Sequence, residues 1–447
     1  MGHKVQDNKM NVADTLGLGF MTFAFFLGAG NLIFPPLAGF LAGENMTLAM
    51  FGFLITAVGL PLLTLIAVAK ANGKIMALLP PIAATMLAVA IFIIIGPAFA
   101  APRTGLVAFE VGFKPFLDNT QATIAIAGVT LHVAQLIYTL VFFAITMVFS
   151  LYPGKLLDNV GKVLTPILIL LLLGLAISVI VLPGNPVVAA VGDYKVHPLT
   201  TGILEGYNTM DTLASLIFGI LIIDILRKKG ISAPQAQTGY LVKAALIAAA
   251  GLAFVYISLF YLGATAGDLA VGAENGGVIL ANYVTHEFGT TGMVLLATVV
   301  TLACLTTAVG LTSACSEFFN ELLPKISYRR FVVLISVVCA TVANVGLSQL
   351  ISISIPVLMT VYPVAIALVA VTFLTGHFAK PALAHRLVLS VALFFGIIDG
   401  IKAAGGDVSA FNFMPLHAEG MAWLLPCVIA IIACLMIKKQ PDVVVAD

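Results

Sequence analysis

Charge is scarce in this 447-residue chain: only 9% of its residues are Asp, Glu, Lys or Arg, against roughly 25% in an ordinary soluble domain. That shortage excludes a soluble globule. With 21 basic and 20 acidic residues the formal net charge is +1, so the basic excess that a nucleic-acid partner requires is missing. Cysteine is equally sparse. The five present, Cys304, Cys315, Cys339, Cys427 and Cys434, lie inside apolar runs without CxxC spacing or a neighbouring His, and they read as small core hydrophobes rather than metal ligands. His132, His286 and His377 are too scattered to form a centre. No Ser-His-Asp order, P-loop, HExxH, or GxGxxG after a strand occurs, so no enzyme signature is present. What is abundant is apolar surface, 61% of the chain, and at this length it specifies an all-α polytopic membrane protein.

The charge-free intervals set the spans. Between Lys74 and Arg103 lie 28 uncharged residues, between Lys162 and Asp193 lie 30, and between Arg330 and Lys380 lie 49. A crossing needs about 20, so the last interval holds two, turned near Gly346 to Ser352. Twelve transmembrane helices are expected, near 14–41, 46–69, 82–108, 131–151, 158–182, 199–226, 236–264, 291–323, 331–347, 353–375, 385–401 and 419–437. Loop charge gives orientation. With the N terminus cytoplasmic, 17 of the 21 basic residues fall on the cytoplasmic side, including Lys4, Lys9, Lys70, Lys74, Lys155, Lys162, Lys438 and Lys439. Arg103, Lys114, Lys195 and Lys402 are left for the outer side, where Asp118, Asp193 and Asp407 collect. Both termini are then cytoplasmic, as the 1–13 segment and the 438–447 tail, and the cell membrane is the expected location. The first 13 residues are polar and no small-residue cleavage site follows the first apolar run, which favours a retained helix over a secretory signal.

Two spans carry interruptions. In the first, Gly28-Ala29-Gly30-Asn31 and the pair Pro35-Pro36 sit near the middle of the apolar run, and freed backbone at that depth must face protein or a wet cavity. One reading is a kink with close glycine packing. The other is a break, in which the half-helix starting near Asn31 aims its positive end at an anion while the preceding half offers carbonyls to a cation. Pro35 and Pro36 would then occupy the first turn of the second half. The sixth span contains Glu205-Gly206-Tyr207-Asn208-Thr209-Met210-Asp211. Acids inside a span are costly and point to function, although Glu205 could instead face an outer vestibule. Broken segments at corresponding places, five spans apart, point to an inverted-repeat secondary transporter. The repeats would be residues 14–182 and 199–375, with the helices of 385–437 peripheral.

The eighth span adds Ala303, Thr306 and Thr307. Threonine hydroxyls in membrane helices often bond only the carbonyl one turn back. Alternatively, they and the first-span carbonyls of Ala24 and Leu27 offer neutral oxygens to a hard cation such as Na⁺. Gly96-Pro97 reads as a kink that could also open backbone, and Glu317 as a partner of Arg329 or Arg330.

The run Met21 to Pro36, followed by Glu205 to Asp211, resembles the bacterial branched-chain amino acid:cation symporters of the BrnQ type, and the likeness spans all twelve helices. It implies the LeuT-type five-plus-five inverted repeat with broken helices 1 and 6, and import of leucine, isoleucine and valine driven by Na⁺ or H⁺. On this resemblance Gly28, Ala29, Gly30 and Asn31 match the segment that holds the substrate carboxylate, and Tyr207, Asn208 and Thr209 match its sixth-span counterpart. Ala24, Leu27, Ala303, Thr306 and Thr307 match the common cation position. A second cation site would use Asn31 and Thr209, but the seventh span, Gly239 to Gly263, has no Asn to complete it. Carbonyls or Asp211 would accept from the ammonium group, and Phe26, Leu213 or Ile217 would line an apolar pocket. Leucine, isoleucine and valine should be poorly discriminated, because one methylene is worth about 1–3 kcal/mol in such a pocket. No cofactor other than the coupling ion, no nucleic acid and no obligate protein partner is expected. The rivals are a carrier of the same fold for another small amino acid or organic cation, and a passive channel, for which no charge ring or filter loop is present.

Overall fold

The computed structural model describes residues 9–117, 122–126, 129–152, 165–182 and 185–437. Expectations resting on Lys4, Asp118, Lys155, Lys162, Lys438 and Lys439, on the fifth span before residue 165, and on the 438–447 tail lie outside the described residues. The helices in chain order are α1 (Val12–Phe26), α2 (Ala29–Ala42), α3 (Met46–Leu54), α4 (Leu60–Lys70), α5 (Pro81–Ile93), α6 (Ala100–Gly112), α7 (Val133–Leu151) and α8 (Thr165–Val181). They continue with α9 (Pro198–Glu205), α10 (Asp211–Lys228), α11 (Pro234–Ala264), α12 (Gly276–Leu322), α13 (Tyr328–Val342), α14 (Leu347–Leu374), α15 (Pro381–Ala403) and α16 (Leu424–Met436). Among the described residues, eight helical runs are long and apolar enough to cross a bilayer, or nine if Pro198–Thr209 and Asp211–Lys228, bent by 44°, make one crossing. Val12–Phe26, Leu172–Val181 and Leu424–Met436 are apolar but shorter. The run Ala29–Lys70 is 42 residues long, twice what one crossing needs. It turns at Gly43, whose φ of +46° glycine adopts without a Cβ penalty.

Local chemistry explains the ends. Pro81, Pro198, Pro234 and Pro381 each open a helix, where a missing N–H costs nothing. The Asn275 side chain accepts from the Gly277 and Val278 N–H groups to start α12. Three features differ from the sequence reading. An antiparallel hairpin, β1 (Thr123–Ile126) with β2 (Val129–His132), precedes α7, so the chain is not wholly helical. Residues 276–288 are helical ahead of a break at Gly289 (φ +60°), where the sequence pattern predicts a connection between spans. Finally, α2 already begins at Ala29, so Pro35 and Pro36 lie in its interior rather than its first turn. Lacking N–H groups, they leave the carbonyls one turn earlier, on Asn31 and Leu32, without their helical donors.

Glycine permits two close crossings around the interruptions. On α2 and α11, a Cβ at Gly39 would sit 1.9 Å from the Phe260 carbonyl oxygen, and one at Gly263 1.9 Å from that of Pro36. On α3 and α9, a Cβ at Gly52 would lie 2.1 Å from the Leu199 oxygen, and one at Gly202 2.0 Å from that of Ala49. These backbones touch, and they fix α2, α3, α9 and α11 as one packed group. A second group joins α6 and α7 to α12 and α13, and α14 packs along α15. The Gly96-Pro97 kink between α5 and α6 is filled by Cys315, whose Sγ would lie 2.5 Å from a Cβ at Gly96.

Candidate functional site

The helical ladder stops at Leu27 and restarts at Ala29, with Gly28 extended between them (φ −115°, ψ −166°). Asn31 bridges the gap from within α2: its Oδ1 accepts from the Gly28 N–H at 2.9 Å. The same side chain reaches the other interruption. Its Nδ2 donates to Asp211 Oδ1 at 3.1 Å and Oδ2 at 2.8 Å, and it also meets the Tyr256 hydroxyl. Tyr256 on α11 donates to Asp211 Oδ2 at 2.5 Å. Asn31, Asp211 and Tyr256 are all buried, so both breaks and α11 meet in one polar cluster. The seventh span has no Asn here; a tyrosine hydroxyl from α11 occupies the corner between Asn31 and Asp211.

On the α9–α10 side, Gly206–Thr209 form a tight turn and Met210 adopts a left-handed conformation (φ +62°). That conformation is costly without glycine and persists only where the surroundings enforce it. It redirects the chain so that Asp211 opens α10 with its carboxylate toward Asn31.

A cavity of about 40 Å³ lies between the breaks. Of the residues singled out from the sequence, Phe26, Gly28, Ala29, Gly30, Asn31, Thr209, Asp211 and Thr307 line it. Tyr207, Asn208 and Leu213 do not, although each is buried nearby; the Tyr207 ring stacks on Tyr362 at 4.2 Å between centroids. The apolar wall is Phe25, Phe26, Ile95, Ala214, Phe218 and Leu311, with Phe218 stacked on Phe25 at 5.3 Å and edge-on to Phe26 at 5.4 Å. Ile217 lies instead in a separate cavity of about 460 Å³, together with Lys74, Phe92, Asp224, Glu317 and Glu321. Ile95, Phe218 and Leu311 of the small cavity are within one helical turn in sequence of Phe92, Ile217 and Ala314 of the large one. Glu317 opens onto that space, and no ion pair with Arg329 or Arg330 forms among the described residues.

For the cation candidates, the Thr307 hydroxyl points to the Leu27 carbonyl at 3.4 Å, across from the broken end of α1. The Thr306 hydroxyl turns back to the Ala303 carbonyl at 2.9 Å, the local bond that threonine makes in any helix. Ala24 is half-buried on α1. The oxygens available here are neutral, suited to weak and reversible cation binding.

One residue that the sequence reading assigned to the outer side is central. Arg103 is buried at 2% exposure on α6. It donates through Nη1 to the Asn208 carbonyl at 2.7 Å and through Nη2 to Ser354 Oγ at 3.0 Å. Its guanidinium lies over the Phe34 ring at 5.1 Å, and it lines the small cavity. The signal was present, because the expected third span, 82–108, includes position 103, and a cation inside a span points to function. Tyr256, a hydroxyl in an apolar run, gave none.

The family model described as "Branched-chain amino acid transport protein" matches residues 11–441. The chain belongs to this family. Among its relatives, the branched-chain amino acid transport system 2 carrier protein of Pseudomonas aeruginosa is 47% identical over 432 residues, covering 95% of this chain and 96% of that relative. The branched-chain amino acid permease BrnQ of Escherichia coli is 42% identical, covering 96% of each chain. BraB of Bacillus subtilis, also a branched-chain amino acid permease, is 38% identical, covering 94% of this chain and 95% of its own. The family and these relatives are transport proteins, not enzymes. Two solved structures share the fold. MhsT in complex with L-phenylalanine aligns with a TM-score of 0.55 at 19% identity, covering 96% of this chain and 98% of that one. Mhp1, a nucleobase-cation-symport-1 family transporter in a closed conformation with bromovinylhydantoin bound, aligns at 0.57 and 14%, covering 94% and 91%. A branched-chain amino acid transport protein with this predominantly helical fold is a membrane protein.

Proposed function

We propose that the chain is a secondary active symporter that imports leucine, isoleucine and valine by alternating access, coupled to Na⁺ or H⁺. The observation that carries this reading is the Asn31–Asp211–Tyr256 cluster, which joins both interruptions at a cavity walled on one side by Phe26, Phe218 and Leu311. A zwitterion with an aliphatic side chain needs those surroundings. The curated relatives, named for branched-chain amino acids, support the substrate class. In this reading the chain crosses the cell membrane twelve times with both termini cytoplasmic, and residues 14–182 and 199–375 form inverted repeats. The group containing α2, α3, α9 and α11 moves against the rest. The amides at the start of α2 face the substrate carboxylate, and Phe26 and Phe218 its side chain. The large cavity, with its acidic rim, serves as the inner vestibule.

For the coupling ion, the Leu27 carbonyl and Thr307 hydroxyl favour Na⁺, with the Ala24 and Ala303 carbonyls and Thr306 completing the set. A buried carboxylate, Asp211, is the feature that favours H⁺. Replacing Thr306 and Thr307 together by Ala should raise the Na⁺ concentration for half-maximal leucine uptake about tenfold, the worth of a contact of roughly 1.5 kcal/mol to a charged group. An unchanged requirement would remove α12 from ion binding. The transport reading itself is tested with proteoliposomes. Unlabelled isoleucine and valine should compete with labelled leucine at concentrations within about tenfold of each other, and preloaded leucine should accelerate entry by counterflow. Uptake that neither compete with nor exchange would contradict a carrier for this substrate class.

A further inference from the structure

We infer that Arg103 binds the carboxylate of the transported amino acid while Asp211 binds its ammonium group, so that two buried side chains of opposite charge read both poles of the zwitterion. The inference rests on the transport reading above and adds a residue from α6 to it. Arg103 has five N–H donors. Two bonds account for Nη1 and Nη2, whereas the buried Nε–H meets no acceptor. Among the described residues no carboxylate lies within ion-pair distance of it. Glu205 at the end of α9 acts on it electrostatically without pairing. Among the described residues Asp211 has no ion-pair partner either. It accepts from Asn31 and Tyr256, with the Thr209 side chain also against it, and none of these partners carries a charge.

Both side chains line the same small cavity, yet each is pinned to different partners, Arg103 to Asn208 and Ser354, Asp211 to Asn31 and Tyr256. Holding a guanidinium and a carboxylate apart at this depth is unfavourable unless something satisfies both. An α-amino acid placed between them does so. Its carboxylate meets the Arg103 edge and the free amides at the start of α2, and its ammonium meets the cavity-facing side of the Asp211 carboxylate. The Phe34 ring and the charge of Glu205 lie near the guanidinium, but neither accepts from its buried Nε–H, which is the donor the substrate carboxylate would take.

The test compares leucine with leucinamide, which keeps the ammonium group but not the carboxylate, as inhibitors of labelled leucine uptake by the full-length protein in proteoliposomes. The wild type should prefer leucine by about a hundredfold, as expected for losing one partner of a buried charge pair. Arg103→Gln should bring that ratio to within about threefold, and Arg103→Lys, which keeps the charge but not the fork, to about tenfold. Asp211→Asn, read by ligand competition on the purified protein rather than by uptake, should instead relax discrimination against 4-methylpentanoate, which lacks the ammonium group. A ratio of leucine to leucinamide unchanged from wild type, in whichever Arg103 variant reaches the membrane, would overturn the inference. Wild-type uptake reports separately on the transport reading, and the ratio is measured in the same way with whichever α-amino acid the wild type takes up.

Discussion

Asp211→Asn should lower leucine uptake by about two orders of magnitude while the protein still inserts. The substitution preserves volume but removes an acceptor. The carboxylate takes both Asn31 bonds and the Tyr256 bond, whereas an asparagine offers one oxygen and turns an NH₂ group toward two donors. Truncating one member of a buried, charged hydrogen-bond network costs about 2–5 kcal/mol, which corresponds to roughly thirty- to several-thousandfold. The loss should fall on transport, because Asn31 also closes the start of α2 by accepting from the Gly28 N–H, and releasing Asn31 uncouples the two interruptions. Tyr256→Phe removes one bond to the same carboxylate and should cost less, about tenfold. The pair is measured as initial uptake rates normalised to protein in the membrane. An Asp211→Asn rate within threefold of wild type would mean that the bridge is not used in transport.

The second large effect is at a helix crossing. Gly263→Ala would put a methyl group 1.9 Å from the Pro36 carbonyl oxygen, so α2 and α11 must separate by more than an ångström. Overpacking costs typically 1–3 kcal/mol and more where backbone has to move, and the separation also forfeits dispersion contacts along both helices. The damage reaches the site: Asn31 and Tyr256 lie about two turns from the crossing on these two helices. We expect the protein either to fail to accumulate or to melt about 10 °C lower in detergent, with transport lost. Gly239→Ala on the same helix is the control, since a Cβ there meets nothing within 4 Å, and alanine favours a helix by up to about 1 kcal/mol. Equal melting of the two variants would refute the crossing argument.

The legible part of this protein is the part written in local chemistry. Apolar runs between charges locate helices because the bilayer demands about 20 such residues, and Gly28 and Gly206 mark backbone that does not continue as ordinary helix. What escaped is long-range or side-chain specific. Asn31 and Asp211 are 180 residues apart in sequence, and no periodicity announces that an amide on α2 meets a carboxylate on α10. Met210 takes a left-handed conformation that composition does not suggest, because methionine has no preference for it. Arg103 went unrecognised as a site residue because charge counting treats basic residues as loop labels, a rule that fails for a cation with buried acceptors waiting for it. Pro35 and Pro36 show the opposite error: a propensity for the first turn was applied to prolines that the structure places deeper, where they release the carbonyls of Asn31 and Leu32.

The most direct measurement is leucine accumulation in proteoliposomes under an imposed inward Na⁺ gradient, with the proton gradient set separately. Symport predicts internal leucine rising well above the external concentration when one of the two gradients is present, and only equilibration when both are collapsed. Uptake that is the same with both gradients collapsed would contradict it.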